Sequence, residues 1–215
     1  MTFSEYLADR WPDIVFLAAQ HAQVVLIAIG IATVIGVAVA VLAQNHPMVR
    51  RVSLTVTGIA LTIPSYALLG LLIPILSLGV VPAITALVVY ALFPILRNAI
   101  TGLESVPAEI EDAARGMGLS KWSLLFTVRM PLAWPVLLNG VRVASILCVG
   151  IGAIAAAVAG PGLGRLIFDG LTRLGGANAL NDALAGVLGV GVLAIVLDLF
   201  FVLIARLTTP RGIRG

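Results

Sequence analysis

Five apolar stretches, each long enough to cross a lipid bilayer, fix what this chain can fold into. A helix rises about 1.5 Å per residue, so roughly 20 apolar residues span the hydrocarbon core. Such stretches lie at about 23–43, 52–78, 80–96, 132–159 and 183–205. Three carry no charge, the fourth carries only Arg142 and the fifth only Asp198. The run holding the first, Ile14 to Ala43, exceeds one crossing, and Gln20, His21 and Gln23 are expected to mark its outer boundary. Pro64 and Pro74 fall inside the second, and a break in the helix is expected at Pro64. Of 215 residues, 60% are hydrophobic and 11% charged, where soluble domains carry about 25% charged residues. The mean hydropathy is +1.13. The expected fold is an all-α integral membrane protein of five transmembrane helices, forming a single domain over residues 1–215.

Loop charge orients the spans, because cytoplasmic loops carry the excess of Lys and Arg. With five spans, one side collects Arg50, Arg51, Arg97, Arg115, Lys121, Arg129, Arg206, Arg211 and Arg214. The other holds Arg10, Arg165 and Arg173 against Glu5, Asp9, Asp13, Asp169 and Asp182. The N-terminus is therefore expected outside and the C-terminus in the cytoplasm. The opening MTFSEYLADRWPD lacks the basic start of a signal peptide. The net charge of +3 comes from scattered bases, which argues against nucleic-acid binding. The single cysteine, Cys148, has no partner for an intramolecular disulfide and is expected to pack in an apolar run.

One polar island interrupts this pattern. The loop at about 97–131 contains EDAARGMGLSKWSLLFTVRMP, Glu111 to Pro131. Pro107 followed by Glu109, Glu111 and Asp112 suits a helix start, and a helix is expected over Ala108 to Met117. Gly118 is a natural stop, and Ser120 can cap a second short helix over Lys121 to Val128. Trp122, Leu124, Leu125 and Phe126 give this elbow apolar surface. Two readings stand: a dock for a cytoplasmic partner, or a plain connection between spans.

The spacing Asp112-Ala113-Ala114, three residues, Gly118, nine residues, Val128-Arg129-Met130-Pro131 resembles the EAA loop of ABC importer permeases. Asp stands for Glu there, and Val and Met for Ile and Leu. The resemblance implies an ATPase-coupling role for Glu111, Asp112, Ala113, Ala114, Arg115, Gly118, Leu119 and Pro131. Leu61-Thr62-Ile63-Pro64-Ser65-Tyr66-Ala67-Leu68-Leu69-Gly70 and Tyr90 to Asn98 resemble segments of osmoprotectant permeases, which carry glycine betaine, carnitine or choline. Ala159 to Gly164 resembles a third such segment, one that methionine-type importers share. The family implies a separate ATPase subunit that binds ATP and magnesium, with no cofactor in this chain. It also implies an extracytoplasmic solute-binding protein, a second permease copy or paralogue, and the plasma membrane of a prokaryote. No GxxxxGK[ST] phosphate loop occurs in the chain, consistent with ATP hydrolysis elsewhere.

A quaternary ammonium is attracted to aromatic faces. Aromatics make up 6% of the chain, and Tyr66 and Tyr90 lie within spans. With Pro64 and Ser65 they are the candidate pathway residues, or they pack between helices. Intramembrane charges are costly and are usually paired. Arg142 and Asp198 are expected to pair in the cytoplasmic third, as a structural tie or as a contact to the solute. The small-residue stretch Gly150 to Gly160 suits close helix approach, at a dimer interface, along the path or within the subunit. The outer segment Arg165 to Asp182 either touches the binding protein or is a surface loop. A membrane enzyme would need a nucleophile, base or metal cluster. His21 and His46 stand at opposite ends of the first span, so neither a catalytic nor a metal site is expected. A proton-coupled carrier would carry repeats and several intramembrane ionisable groups, where this chain has one Asp and one Arg.

Overall fold

The computed structural model describes residues 1–209, and Arg211 and Arg214 of the basic tail lie outside the described residues. Every regular element among them is helical. Helix α1 covers Phe3–Ala43, α2 Pro47–Thr62, α3 Ser65–Leu76 and α4 Val80–Glu104. Then come α5 Ala108–Gly116, α6 Lys121–Leu124, a widened turn Leu125–Arg129 and α7 Met130–Ile154. A tight turn Ala155–Val158 leads to α8 Gly164–Thr172 and α9 Ala179–Thr208. Four continuous helical runs are long and apolar enough to cross a membrane: Phe3–Ala43, Val80–Glu104, Lys121–Val158 and Ala179–Thr208. Helices α2 and α3 make a fifth candidate only as a pair, bent by 101°.

That bend falls at Ile63-Pro64. Proline has no N–H to continue the ladder and disfavours helical geometry in the residue before it. Ile63 is accordingly extended, with φ −65° and ψ 129°. Its carbonyl oxygen is not left bare, because the Tyr90 hydroxyl donates to it at 2.6 Å. The second apolar stretch is therefore an elbow and not a straight rod.

Helix α4 is the hub. It packs chiefly on α7 and α1, and half of its most apolar 18-residue stretch is buried. Close approach to α7 depends on Gly140, where an added Cβ would sit 2.6 Å from the Asn98 Cβ and 2.8 Å from the Pro94 carbonyl oxygen. The main core joins Val25, Ala28 and Ala32 of α1 to Leu87, Ala91 and Ile95 of α4 and Ala144 and Val149 of α7. Cys148 is buried in this core, its thiol 3.5 Å from the Leu87 carbonyl oxygen. A smaller core at the opposite end of α1 joins Tyr6, Ile14 and Leu17 to Leu163, Leu166 and Ala185. There the Tyr6 hydroxyl donates to Asp182, and Asn181 donates to the Met1 carbonyl.

Helix α1 runs unbroken through Gln20, His21 and Gln23 for 41 residues. At 1.5 Å per residue that is about 60 Å, twice the hydrocarbon thickness. His21 is 1% exposed, with Nε2 3.1 Å from the Val149 carbonyl oxygen, so it is a packed residue of the α1–α7 contact. One expectation changes: Lys121 to Val128 is not a separate short helix, since helical backbone continues from Lys121 through Pro131 into α7. Pro131 is tolerated because it stands in the first turn after the widened one, where its missing N–H costs little. Of the three alternatives for Gly150 to Gly160, burial favours packing within the subunit: Ile151, Gly152, Ala153, Ala155, Val158 and Gly160 are all enclosed.

Candidate functional site

The polar island sits where the ends of four helices meet. Helix α5 begins after Pro107 and stops at Gly116–Met117, and Gly118 then turns with φ +85°. That backbone suits glycine, because a Cβ crowds the carbonyl in left-handed geometry. The N–H groups of Gly118 and Leu119 close the turn on the carbonyls of Arg115 and Ala114. Ser120 caps the next helix by accepting from the Ser123 N–H at 3.2 Å. Capping fixes the direction in which the chain enters α6 and hence the placement of everything up to Arg129.

The nine-residue α5 is amphipathic in an unusual sense. Its buried residues are Glu111 and Ala114, so the side that faces the protein carries a carboxylate. Asp112, Ala113, Arg115 and Ile110 face outward. Burying a carboxylate costs heavily unless a cation and hydrogen bonds meet it. Arg129 supplies both: its Nε and Nη2 lie 2.5 Å from Glu111 Oε1. Arg115 adds a longer contact to Oε2 at 3.4 Å, one turn along α5, and reaches Asp112 at 3.7 Å. The remaining fork of Arg129, Nη1, donates to the side-chain oxygen of Gln44, which caps the end of α1. Arg50 and Glu104 pair beside this cluster at 3.0 Å, joining α2 to α4.

A cavity of about 820 Å³ opens at this end between α1, α4 and the α5–α6 segment, lined by Gln44, Glu104, Glu111, Leu119, Lys121 and Arg129 among others. Trp122 and Phe126 stack with ring centres 6.2 Å apart and are both well exposed. The site thus offers charge, an exposed helix and exposed aromatic surface. Among the described residues no group of three or more His, Cys, Asp or Glu could hold a metal ion.

The other candidate residues are dispersed. Pro64, Ser65 and Tyr66 lie at the α2–α3 bend, where Tyr66 is 65% exposed. Tyr90 is 2% exposed and its hydroxyl is committed to Ile63. Burial removes it from any open face of this subunit, so the two tyrosines do not form one aromatic surface. Arg142 and Asp198 face each other from α7 and α9 through a two-pronged contact, with Nη2 to Oδ2 at 2.8 Å. Arg142 stands near the middle of the Lys121–Val158 run and not close to its charged end.

Gln44 was not legible as a site residue, and Arg129 counted only as one more basic charge and as a filler position in the motif. Glu111 and Arg129 stand on opposite sides of a glycine turn, so no helical spacing links them. The turn geometry alone brings them together.

Residues 32–211 match the family model described as binding-protein-dependent transport system inner membrane component. The chain is 39% identical over 214 residues to the osmoprotectant import permease protein OsmW of Salmonella typhimurium, covering 97% of this chain and 98% of that one. It is 30% identical to the glycine betaine/carnitine/choline transport system permease protein OpuCB of Bacillus subtilis, over 98% of this chain and 95% of that one. In structure it resembles a chain of the MetNI methionine ABC transporter in an inward-facing conformation, with TM-score 0.79 and 26% identity over 92% of this chain and 96% of that chain. On a family match that covers most of its length, this chain belongs to the inner membrane components of binding-protein-dependent transport systems: it is a membrane permease and not an enzyme.

Proposed function

We propose that this chain is the membrane-spanning subunit of an ATP-driven importer of osmoprotectants such as glycine betaine, carnitine or choline. The near full-length similarity to the osmoprotectant import permease carries this reading. The chain crosses the plasma membrane of a prokaryote five times, with the α2–α3 elbow as the second crossing. The N-terminus lies outside and the charged end in the cytoplasm, following the excess of Lys and Arg at that end. There α5 and the turn at Gly118 enter a cleft of a separate ATPase subunit, which binds ATP and magnesium. A solute-binding protein delivers the solute at the opposite face, and a second copy or a paralogue completes the path. Exposed Tyr66, beside the broken backbone at Pro64, is the aromatic placed to meet a quaternary ammonium. Asp198 is held by Arg142, which suits a structural tie better than a proton relay.

A methionine importer is the second reading, favoured by the structural likeness to the methionine transporter. Reconstitution with the ATPase and binding protein encoded beside this chain separates the two. Glycine betaine should stimulate ATP hydrolysis and its own uptake, and methionine should do neither. The Gly118→Asp chain should retain the ATPase yet lose stimulation by about tenfold or more, since coupling between sites is typically worth that much. Stimulation by methionine alone would replace the solute class. Failure of the ATPase to co-purify would remove the reading of the loop.

A further inference from the structure

Helix α5 is poorly anchored for an element that must pass on a load. Only Glu111 and Ala114 of its nine residues are buried. Gly118 follows it with nothing within 4 Å of where a Cβ would stand, so only its backbone hydrogen bonds, and no packing against the rest of the protein, hold that turn. A push on Ile110, Asp112 or Met117 would be relieved by rotation about that turn unless α5 had a second attachment. The Glu111–Arg129 contact is that attachment, and it does not end at Arg129.

Arg129 closes the widened turn Leu125–Arg129, where the Met130 N–H reaches back five residues to the Leu125 carbonyl. An extra residue in one turn rotates the helix before it against the helix after it, and such turns often mark functional positions. Here the guanidinium ends up between two helices. Its planar fork offers Nε and Nη2 to the carboxylate of Glu111 and Nη1 to Gln44 at the end of α1. The Glu111 side chain is 11% exposed and that of Arg129 23%, so water competes little for these bonds. Charge-assisted bonds of this kind are strong and directional. From Gln44, α1 leads straight into the main core against α4.

We propose that Arg129 is a positioning residue: clamped between Glu111 of α5 and Gln44 of α1, it makes the loop and the end of α1 move as one body when the ATPase acts on the loop. This rests on the reading of the loop as the ATPase contact. It adds that the force leaves the loop sideways into α1, as well as along the chain into α7. An ammonium cannot replace the fork, because a compact point charge lacks its fixed spread of donors.

The test uses the full complex in proteoliposomes with Gln44→Leu and Arg129→Lys. The first cuts the tie to α1 and leaves the Glu111–Arg129 contact intact, and the second keeps the charge and loses the fork. Both chains should retain the ATPase and hydrolyse ATP, while radiolabelled glycine betaine moved per ATP falls about tenfold, the usual scale of site-to-site coupling. A native ratio in either variant overturns the proposal. Spin labels at Asn45→Cys and Ala108→Cys give a second readout that needs no solute. The labelled native chain should show one narrow distance with and without ATP, and Gln44→Leu a broad or shifted one. A narrow, unchanged distance in Gln44→Leu also overturns it. If the native chain binds no ATPase, the reading of the loop fails and this proposal falls with it. If ATPase binds but glycine betaine is not moved, the solute class is wrong and the spin labels still decide the role of Arg129.

Discussion

Helices α4 and α9 are both apolar enough to cross a bilayer, yet they meet their surroundings in opposite ways. Half of the most apolar stretch of α4 is buried inside the subunit, against 11% for α9. Helix α4 is held by side chains such as Leu87, Ala91 and Ile95 that are fully enclosed. Helix α9 is enclosed at Ala179, Asp182, Ala185 and Gly186 near one end and at Leu197 and Phe201 further on. It packs closely on α8 at Gly170 and Gly186 and also makes polar contacts: Tyr6 to Asp182, Arg142 to Asp198, and the Trp134 indole to Thr208 at 2.7 Å. In lipid the hydrophobic effect does not drive helices together, so association rests on close packing and on polar contacts. Helix α4 uses the first along much of its length, while α9 combines close packing with polar ties.

The largest effect should come from breaking the packing of α4. Gly140→Leu would drive a branched side chain into the Asn98 Cβ and the Pro94 backbone oxygen, neither of which can swing aside. Overpacking typically costs 1–3 kcal/mol, and contact with backbone places this case at about 3 kcal/mol or more. The measurement is the midpoint of thermal unfolding in detergent. A midpoint within a degree of the native one would show that α4 and α7 can separate without loss.

A smaller effect should come from cutting the polar tie of α9. Arg142→Leu removes the partner of Asp198 and leaves a lone carboxylate at membrane depth, which is worse than having neither charge. The chain carrying both Arg142→Leu and Asp198→Leu should therefore be more stable than Arg142→Leu alone. Equal stability of the single and double variants would mean that Asp198 faces water once unpaired. The pair would then line an aqueous path and would not serve as a structural tie.

The same contrast decides how much of the molecule was legible in the sequence. The apolar runs, the break at Pro64, the stop at Gly118 and the cap at Ser120 all arise from local chemistry, and each stands in the structure. The pairing of Arg142 with Asp198 was also readable, since two lone charges in apolar helices have few other partners. What stayed hidden depends on which helices touch. His21 reads as a polar position near a span end, and nothing in the sequence shows that it packs against Gly152 of α7. Tyr90 reads either as a pathway aromatic or as a packing residue, and only the contact between α2 and α4 shows its hydroxyl donating to Ile63. The widened turn at Leu125–Arg129 has no composition of its own, so the continuation from α6 into α7 could not be read. Hydropathy finds spans but does not rank them by burial: the less covered α9 and the half-buried α4 both qualify.

The smallest effect is expected on the open face of α9. Leu188, Val192, Ile195 and Leu199 recur at helical spacing on one side and are each more than half exposed. If lipid covers this face, shortening its side chains exchanges one apolar contact for another of equal kind. Ile195→Ala with Leu199→Ala should then change subunit stability by no more than about 0.5 kcal/mol, as surface substitutions usually do. The fraction of permease pairs, measured by cross-linking in native membranes, should not change. A second permease chain packed against the same face would give a different outcome, because dispersion contacts between close-fitted helices are not replaced by mobile lipid tails. The paired fraction would then fall while the isolated subunit unfolded at the native temperature. That result would place α9 at the subunit interface and leave α4 as the helix of the subunit interior.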